Sequence, residues 1–136
     1  MPAEHDWILY APYSDKTLMR NLLTFELGAQ LGNYQCRGRF VELYLNEDYR
    51  GIYVLLEKIK RDENRIDISR LEETENTGDD LTGGYILKID RIDNVSTDGW
   101  ISPYNENLHS GIGIVYVYPE PDDITSAQKT ILRIIY

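Results

Sequence analysis

The 136-residue sequence predicts a mixed α+β fold, an antiparallel sheet with packed helices, and three observations carry that expectation. An apolar stripe at helical spacing runs from residue 16 to 31. Two β-rich runs flank a loop of hairpin length between residues 40 and 56. Two more β-rich runs, 83–90 and 111–121, are joined by long irregular connections. A helix laid on an antiparallel sheet is the simplest layer arrangement that buries both apolar faces.

Asp6 to Ala11 reads as a short strand that Pro12 ends. In "YSDKTLMRNLLTFELGAQLG", Ser14 or Asp15 is the candidate N-cap. Leu18, Leu22, Phe25 and Ala29 recur on one face, with Leu23, Leu27 and Leu31 widening it. Gly32 suits the left-handed position after the last turn.

In "RFVELYLNEDYRGIYVLLEKI", the segment "NEDYRG" is the loop of a β-hairpin. Phe40, Glu42 and Tyr44 share one face of the first strand. On the second, Ile52, Val54 and Leu56 share a face, and Tyr53, Leu55, Glu57 and Ile59 take the other. Glu57 is the residue to explain, because an apolar run stops there and turns at once into Lys58, Lys60 and Arg61. If the strand continues, Glu57 lies between Leu55 and Ile59 on an apolar face. A lone carboxylate in that place is costly, so it requires a cation or hydrogen-bond donors, or else the strand ends at Leu56.

Residues 70–82, "RLEETENTGDDLT", read as an acidic, solvated and partly mobile loop. "GGYILKID" (83–90) is a strand, 91–110 a long loop, and "GIGIVYVYPEP" (111–121) a strand stopped at Pro119. Ile124 to Tyr136 is a helix, with Asp123 or Thr125 near its cap. The abrupt start and finish suggest a piece of a longer protein, and 1–136 reads as a single domain.

Fourteen Lys and Arg against 23 Asp and Glu leave a net charge of -9, which argues against an extended nucleic-acid surface. No apolar run approaches the ~18 residues of a membrane helix. The one cysteine, Cys36, excludes an internal disulfide and reads as a small buried hydrophobe. His5 and His109 are too isolated for a zinc pair. Lys58, Lys60, Arg61 and Arg65, with Arg50 nearby, fit either a bound anion or a solvated surface balanced by Asp62, Glu63 and Asp67. Arg20 could meet a phosphate or carboxylate or simply be exposed. Glu26 fits either a lysine pair across a cleft or a solvent-facing position.

Four segments in order carry more than pattern: "DWILYAPYSDKTLMRNLLTFELGAQLG", "RFVELYLNEDYRGIYVLLEKIKRDENRIDI", "GGYILKID" and "VYPEPDDIT". Together, from Asp6 to Thr125, they resemble the CotH family, the bacterial spore coat protein H and its relatives. The resemblance implies an atypical protein kinase-like fold that binds ATP with a divalent metal, Mg or Mn, and phosphorylates a protein substrate of a spore coat or cell surface. It makes the 40–56 hairpin the last two strands of an N-lobe sheet. Glu57 and Lys58 then fall at the hinge where adenine docks, and the 16–31 helix offers Arg20 or Glu26 to the cleft. The implied cofactor-binding set is Arg20, Glu26, Glu57 and Lys58. The family's lysine-bearing strand and its metal-ligand and catalytic aspartates are expected before and after this segment. The chain alone is therefore expected to hold no catalytic or metal residue, to be inactive, and to self-associate through exposed edges. The alternative is a non-catalytic scaffold or attachment module.

Overall fold

The computed structural model describes residues 3–92, 98–104 and 111–135. The chain forms two compact units, Met1–Ile59 with Asn64–Ile66, and Lys60–Glu63 with Asp67–Tyr136. Helices and small antiparallel sheets make both, as an α+β class requires. None of the described helices is long and apolar enough to cross a membrane.

The first unit is built on a three-stranded antiparallel sheet of β1 (Trp7–Tyr10), β2 (Gly38–Leu45) and β3 (Asp48–Glu57), in the order β1-β3-β2. The hairpin turn is tighter than the six-residue loop the sequence suggests. Leu45 pairs with Asp48, so Asn46 and Glu47 make the whole turn, both with positive φ (50° and 67°). That is the turn geometry whose twist matches the strands. The remainder of "NEDYRG" is strand. A bulge between Leu43 and Tyr44 shifts the register, and Gly51 opposite it takes φ 106°.

Helix α1 (Arg20–Gln30) connects β1 to β2 and starts later than its apolar spacing suggests. The Asp15 carboxylate takes the amide and hydroxyl of Thr17 and the amide of Arg20, while Leu18 turns to φ 61°. Asp15 thus folds residues 15–18 into a turn of its own before giving the helix its first anchored amide. Gly38 is what lets α1 approach the sheet. A Cβ there would stand 2.6 Å from the Leu22 side chain and 2.5 Å from that of Leu56. Val54 is fully buried in the central strand. Met19, Leu23, Leu27 and Leu31, each four residues apart along α1 and its two flanking residues, remain largely exposed.

The second unit holds β4 (Ile86–Ile89), β5 (Gly99–Ile101) and β6 (Gly113–Tyr118), all antiparallel in the order β4-β6-β5, with helix α2 (Ser126–Ile135). Strand β5 lies inside the stretch expected as loop. Its Trp100 packs with Tyr116, Ile124 and Leu132 to form the core. Gly99 has no room for a side chain, since a Cβ would fall 2.0 Å from the Ile114 carbonyl oxygen. Residues 93–97 and 105–110 of that expected loop lie outside the described residues.

The 70–76 stretch is not simply solvated. Gln128, wholly buried on α2, donates to the carbonyls of Glu72 (2.9 Å) and Glu75 (3.3 Å). The Leu71 amide donates to the Tyr118 hydroxyl at 3.1 Å. Gln128 also accepts the Thr125 amide, and its own amide donates to the Thr125 hydroxyl. "TSAQ" is therefore a capping box, which makes Thr125 the cap of α2.

Candidate functional site

β3 runs through Glu57, the last residue of the strand and 1% exposed. The partner that its burial demands is Arg37, just before β2. The Glu57 amide donates to the Arg37 carbonyl at 3.1 Å. In return, the Arg37 amide donates to Glu57 Oε2 at 3.2 Å, and its side-chain Nε does so at 2.9 Å. Arg37 Nη2 lies 2.9 Å from Oε1, an ion-pair distance without hydrogen-bond alignment, so Oε1 has charge compensation but no aligned donor. The carboxylate in turn holds the half-exposed guanidinium in its charged form, raising its pKa above the usual arginine value.

Beyond Glu57 the chain enters a stretch with no helix or strand, held by two guanidinium groups. Arg37 Nη2 donates to the Asn64 carbonyl at 2.5 Å. Arg65, 5% exposed, donates Nη1 to the Lys58 carbonyl (2.5 Å) and Nη2 to the Asp6 carbonyl (2.8 Å). Its Cζ sits 5.5 Å from the centre of the Trp7 ring. The Lys58 amide reaches the Asp6 carbonyl at 3.4 Å.

The four residues singled out for nucleotide contact stand in different settings. Lys58 has an exposed side chain and a backbone engaged through both its groups. Glu57 is enclosed with Arg37. Arg20 is exposed at the start of α1, its Nε 3.5 Å from Asp15 Oδ1. Glu26, exposed on α1, accepts from Gln30 Nε2 at 3.1 Å and lines a groove of about 420 Å³ between α1 and the start of β2. Glu57 and Lys58 are chain neighbours, but the polar partners of Arg20, Glu26 and Glu57 are Asp15, Gln30 and Arg37 rather than one another.

The basic residues after β3 likewise do not act as one set. Arg65 is buried among carbonyls and Arg61 stacks 5.4 Å from the Tyr118 ring centre, while Arg50, within β3 itself, pairs with Asp48 at 3.1 Å. Cys36 is buried, and that burial, reinforced by the Glu57 charge, raises its thiol pKa above the ordinary 9.0. Glu4, His5 and Asp6 are the one group among the described residues whose ligand atoms come together as a cation site would need. Glu4 Oε1 already takes the amides of His5 and Asp6, which accounts for the grouping without an ion.

Sequence reasoning did not single out Arg37. Hairpin register counted from the turn alone points to its neighbour Cys36 instead. From Leu45–Asp48 the paired numbers sum to 93, which would set Cys36 opposite Glu57. The bulge raises the sum to 94, as in Gly38–Leu56, and sets Arg37 there instead.

The family model described as CotH kinase protein matches residues 1–125. No curated protein and no solved structure matches the chain.

Proposed function

The chain belongs to the CotH kinase protein family, and from that premise we propose that it forms the nucleotide-facing segment of an ATP-dependent protein kinase-like phosphotransferase. The family match over residues 1–125 carries the reading. The local support is the end of β3, where a wholly enclosed carboxylate, Glu57, is followed at once by an exposed cation, Lys58. Lys58 supplies a positive charge on a braced backbone, as a bound triphosphate requires. Arg20 and Glu26 are the further nucleotide contacts from α1. Glu57 belongs to the same site through Arg37, since its side chain is enclosed. A divalent metal, Mg or Mn, would come with the nucleotide and supply neutralisation of phosphate charge, and the acceptor would be a protein of a spore coat or cell surface.

A second reading, a non-catalytic scaffold or attachment module, has one observation in its favour. The carboxylate at the end of β3, Glu57, is enclosed and already engaged by Arg37.

Calorimetric titration of the chain with ATP, with and without manganese, tests the proposal on wild type and Lys58→Ala. Saturable binding, weakened by the substitution, supports a nucleotide site here. Heat-silent titrations of a folded wild-type chain remove the nucleotide reading for this segment and leave the scaffold. Phosphate transfer by this chain alone is expected to be undetectable.

A further inference from the structure

The nucleotide reading assigns contact to Lys58, and the structure contains a device that fixes where Lys58 stands. Its amide is directed at the Asp6 carbonyl (3.4 Å) and its carbonyl receives Arg65 Nη1 (2.5 Å). The second arm of the same guanidinium takes the Asp6 carbonyl at 2.8 Å, so Asp6, Lys58 and Arg65 close a ring of contacts. Arg37 makes a second tie, from the enclosed Glu57 carboxylate to the Asn64 carbonyl. The stretch between Glu57 and Arg65 thus has each foot fastened by an arginine.

Only a guanidinium suits this task. Each fork binds two acceptors from different parts of the chain in a fixed plane, whereas a lysine ammonium is a compact charge on a flexible stem. With both backbone groups of Lys58 engaged, its exposed ammonium is the group left to meet a ligand.

Resting on the nucleotide reading above, we infer that Arg37 and Arg65 are positioning residues for ATP. They touch no nucleotide; they hold the Lys58 backbone in the geometry from which its ammonium binds phosphate. Replacing either arginine with lysine keeps the charge and removes the fork.

The test compares Arg37→Lys, Arg65→Lys and Val54→Ala with wild type, reading the Kd for ATP with manganese and amide hydrogen exchange over 58–66 without ligand. Val54 is fully buried in β3 and makes no tie to the segment, so it reports general loss of stability. The expected result is a Kd raised about tenfold or more by each arginine substitution, the worth of one charge-assisted hydrogen bond. Exchange over 58–66 should speed up in both, while Val54→Ala, still folded, holds its Kd within about twofold. Should buried Arg65→Lys fail to fold, half-exposed Arg37→Lys decides alone. Faster exchange with unchanged Kd, or an equal rise in Kd for Val54→Ala, overturns the inference and leaves the nucleotide reading intact. A wild-type chain that binds no ATP removes that reading, and this inference with it.

Discussion

Arg37 and Glu57 are joined through backbone and side chain at once. The Glu57 amide donates to the Arg37 carbonyl at 3.1 Å, and the amide and Nε of Arg37 both donate to Glu57 Oε2, at 3.2 and 2.9 Å. One carboxylate therefore closes the β2–β3 ladder and neutralises the guanidinium, which continues to the Asn64 carbonyl. The pair converts a charge on an apolar strand face from a liability into a fastening.

Arg37→Met should strand the Glu57 carboxylate. A fully enclosed pair broken this way costs about 3–5 kcal/mol. Here the expected loss is smaller, about 2–3 kcal/mol, because Arg37 is half exposed and its backbone amide still donates. Urea unfolding checks this. The double variant Arg37→Met with Glu57→Leu should recover most of the loss, because no charge is then left without a partner. A double variant no more stable than Arg37→Met would show that the ladder rather than the charge is at stake.

The sequence left two outcomes for Glu57, a partner for its carboxylate or a strand that stops at Leu56, and β3 runs one residue further, so the partner is required. The partner's identity was not, because a single bulged residue decides whether Cys36 or Arg37 faces it, and bulges leave little trace in periodicity. The α1 stripe predicted a helix but overshot its start, since Asp15 engages nearby amides that the spacing alone would assign to the helix. Strand β5 escaped because its three residues are too few to show alternation, although Trp100 anchors the core of its unit. Long-range ties such as Gln128 to Glu72 and Glu75 have no local signature, and so the acidic stretch read as solvated loop. At the candidate site, Lys58 was recognisable as a cation at a strand end, whereas the bonds from Arg65 to its carbonyl and from Arg37 to neighbouring Glu57 and to Asn64 arise only in the fold.

Gln128 is the member of α2 whose loss should be felt farthest from its own helix. It caps α2 with Thr125 and holds two carbonyls of the 72–75 stretch while fully buried. Gln128→Ala leaves these groups unsatisfied at an expected cost of about 2–3 kcal/mol. Limited proteolysis should then cut within 71–76 well before other sites. Thr125→Ala removes the hydroxyl side of the cap and that hydroxyl's bond to the Asn76 side chain but keeps the two carbonyl ties, so it should cost about 1 kcal/mol and open that stretch less than Gln128→Ala does. Equal cleavage in both variants would refute the division of labour.

Cys36 should resist thiol reagents at neutral pH. Burial and the neighbouring Glu57 charge disfavour the thiolate, which is the reactive form. Labelling with a chromogenic disulfide should be slow in the native chain and rapid in denaturant. Arg37→Met should not speed labelling by increasing thiolate, because it leaves the Glu57 charge uncompensated. Fast stoichiometric labelling of the native wild type would contradict the enclosure of this thiol.

Asp15 should make the start of α1 sensitive to acid. Hydrogen bonds from the Arg20 amide and the Thr17 hydroxyl, the two strongest influences, lower its pKa below the ordinary 3.8, outweighing the opposing effect of burial. A carboxylate with a depressed folded-state pKa stabilises the native state above its unfolded value, and the contribution disappears as pH falls through the folded one. The stability difference between wild type and Asp15→Ala should therefore be constant from about pH 7 to about pH 5 and shrink below about pH 4. Thermal unfolding across that range measures it. A difference that persists undiminished at about pH 2 would mean that Asp15 acts by packing rather than by charge, because the protonated side chain would then serve as well as the ionised one.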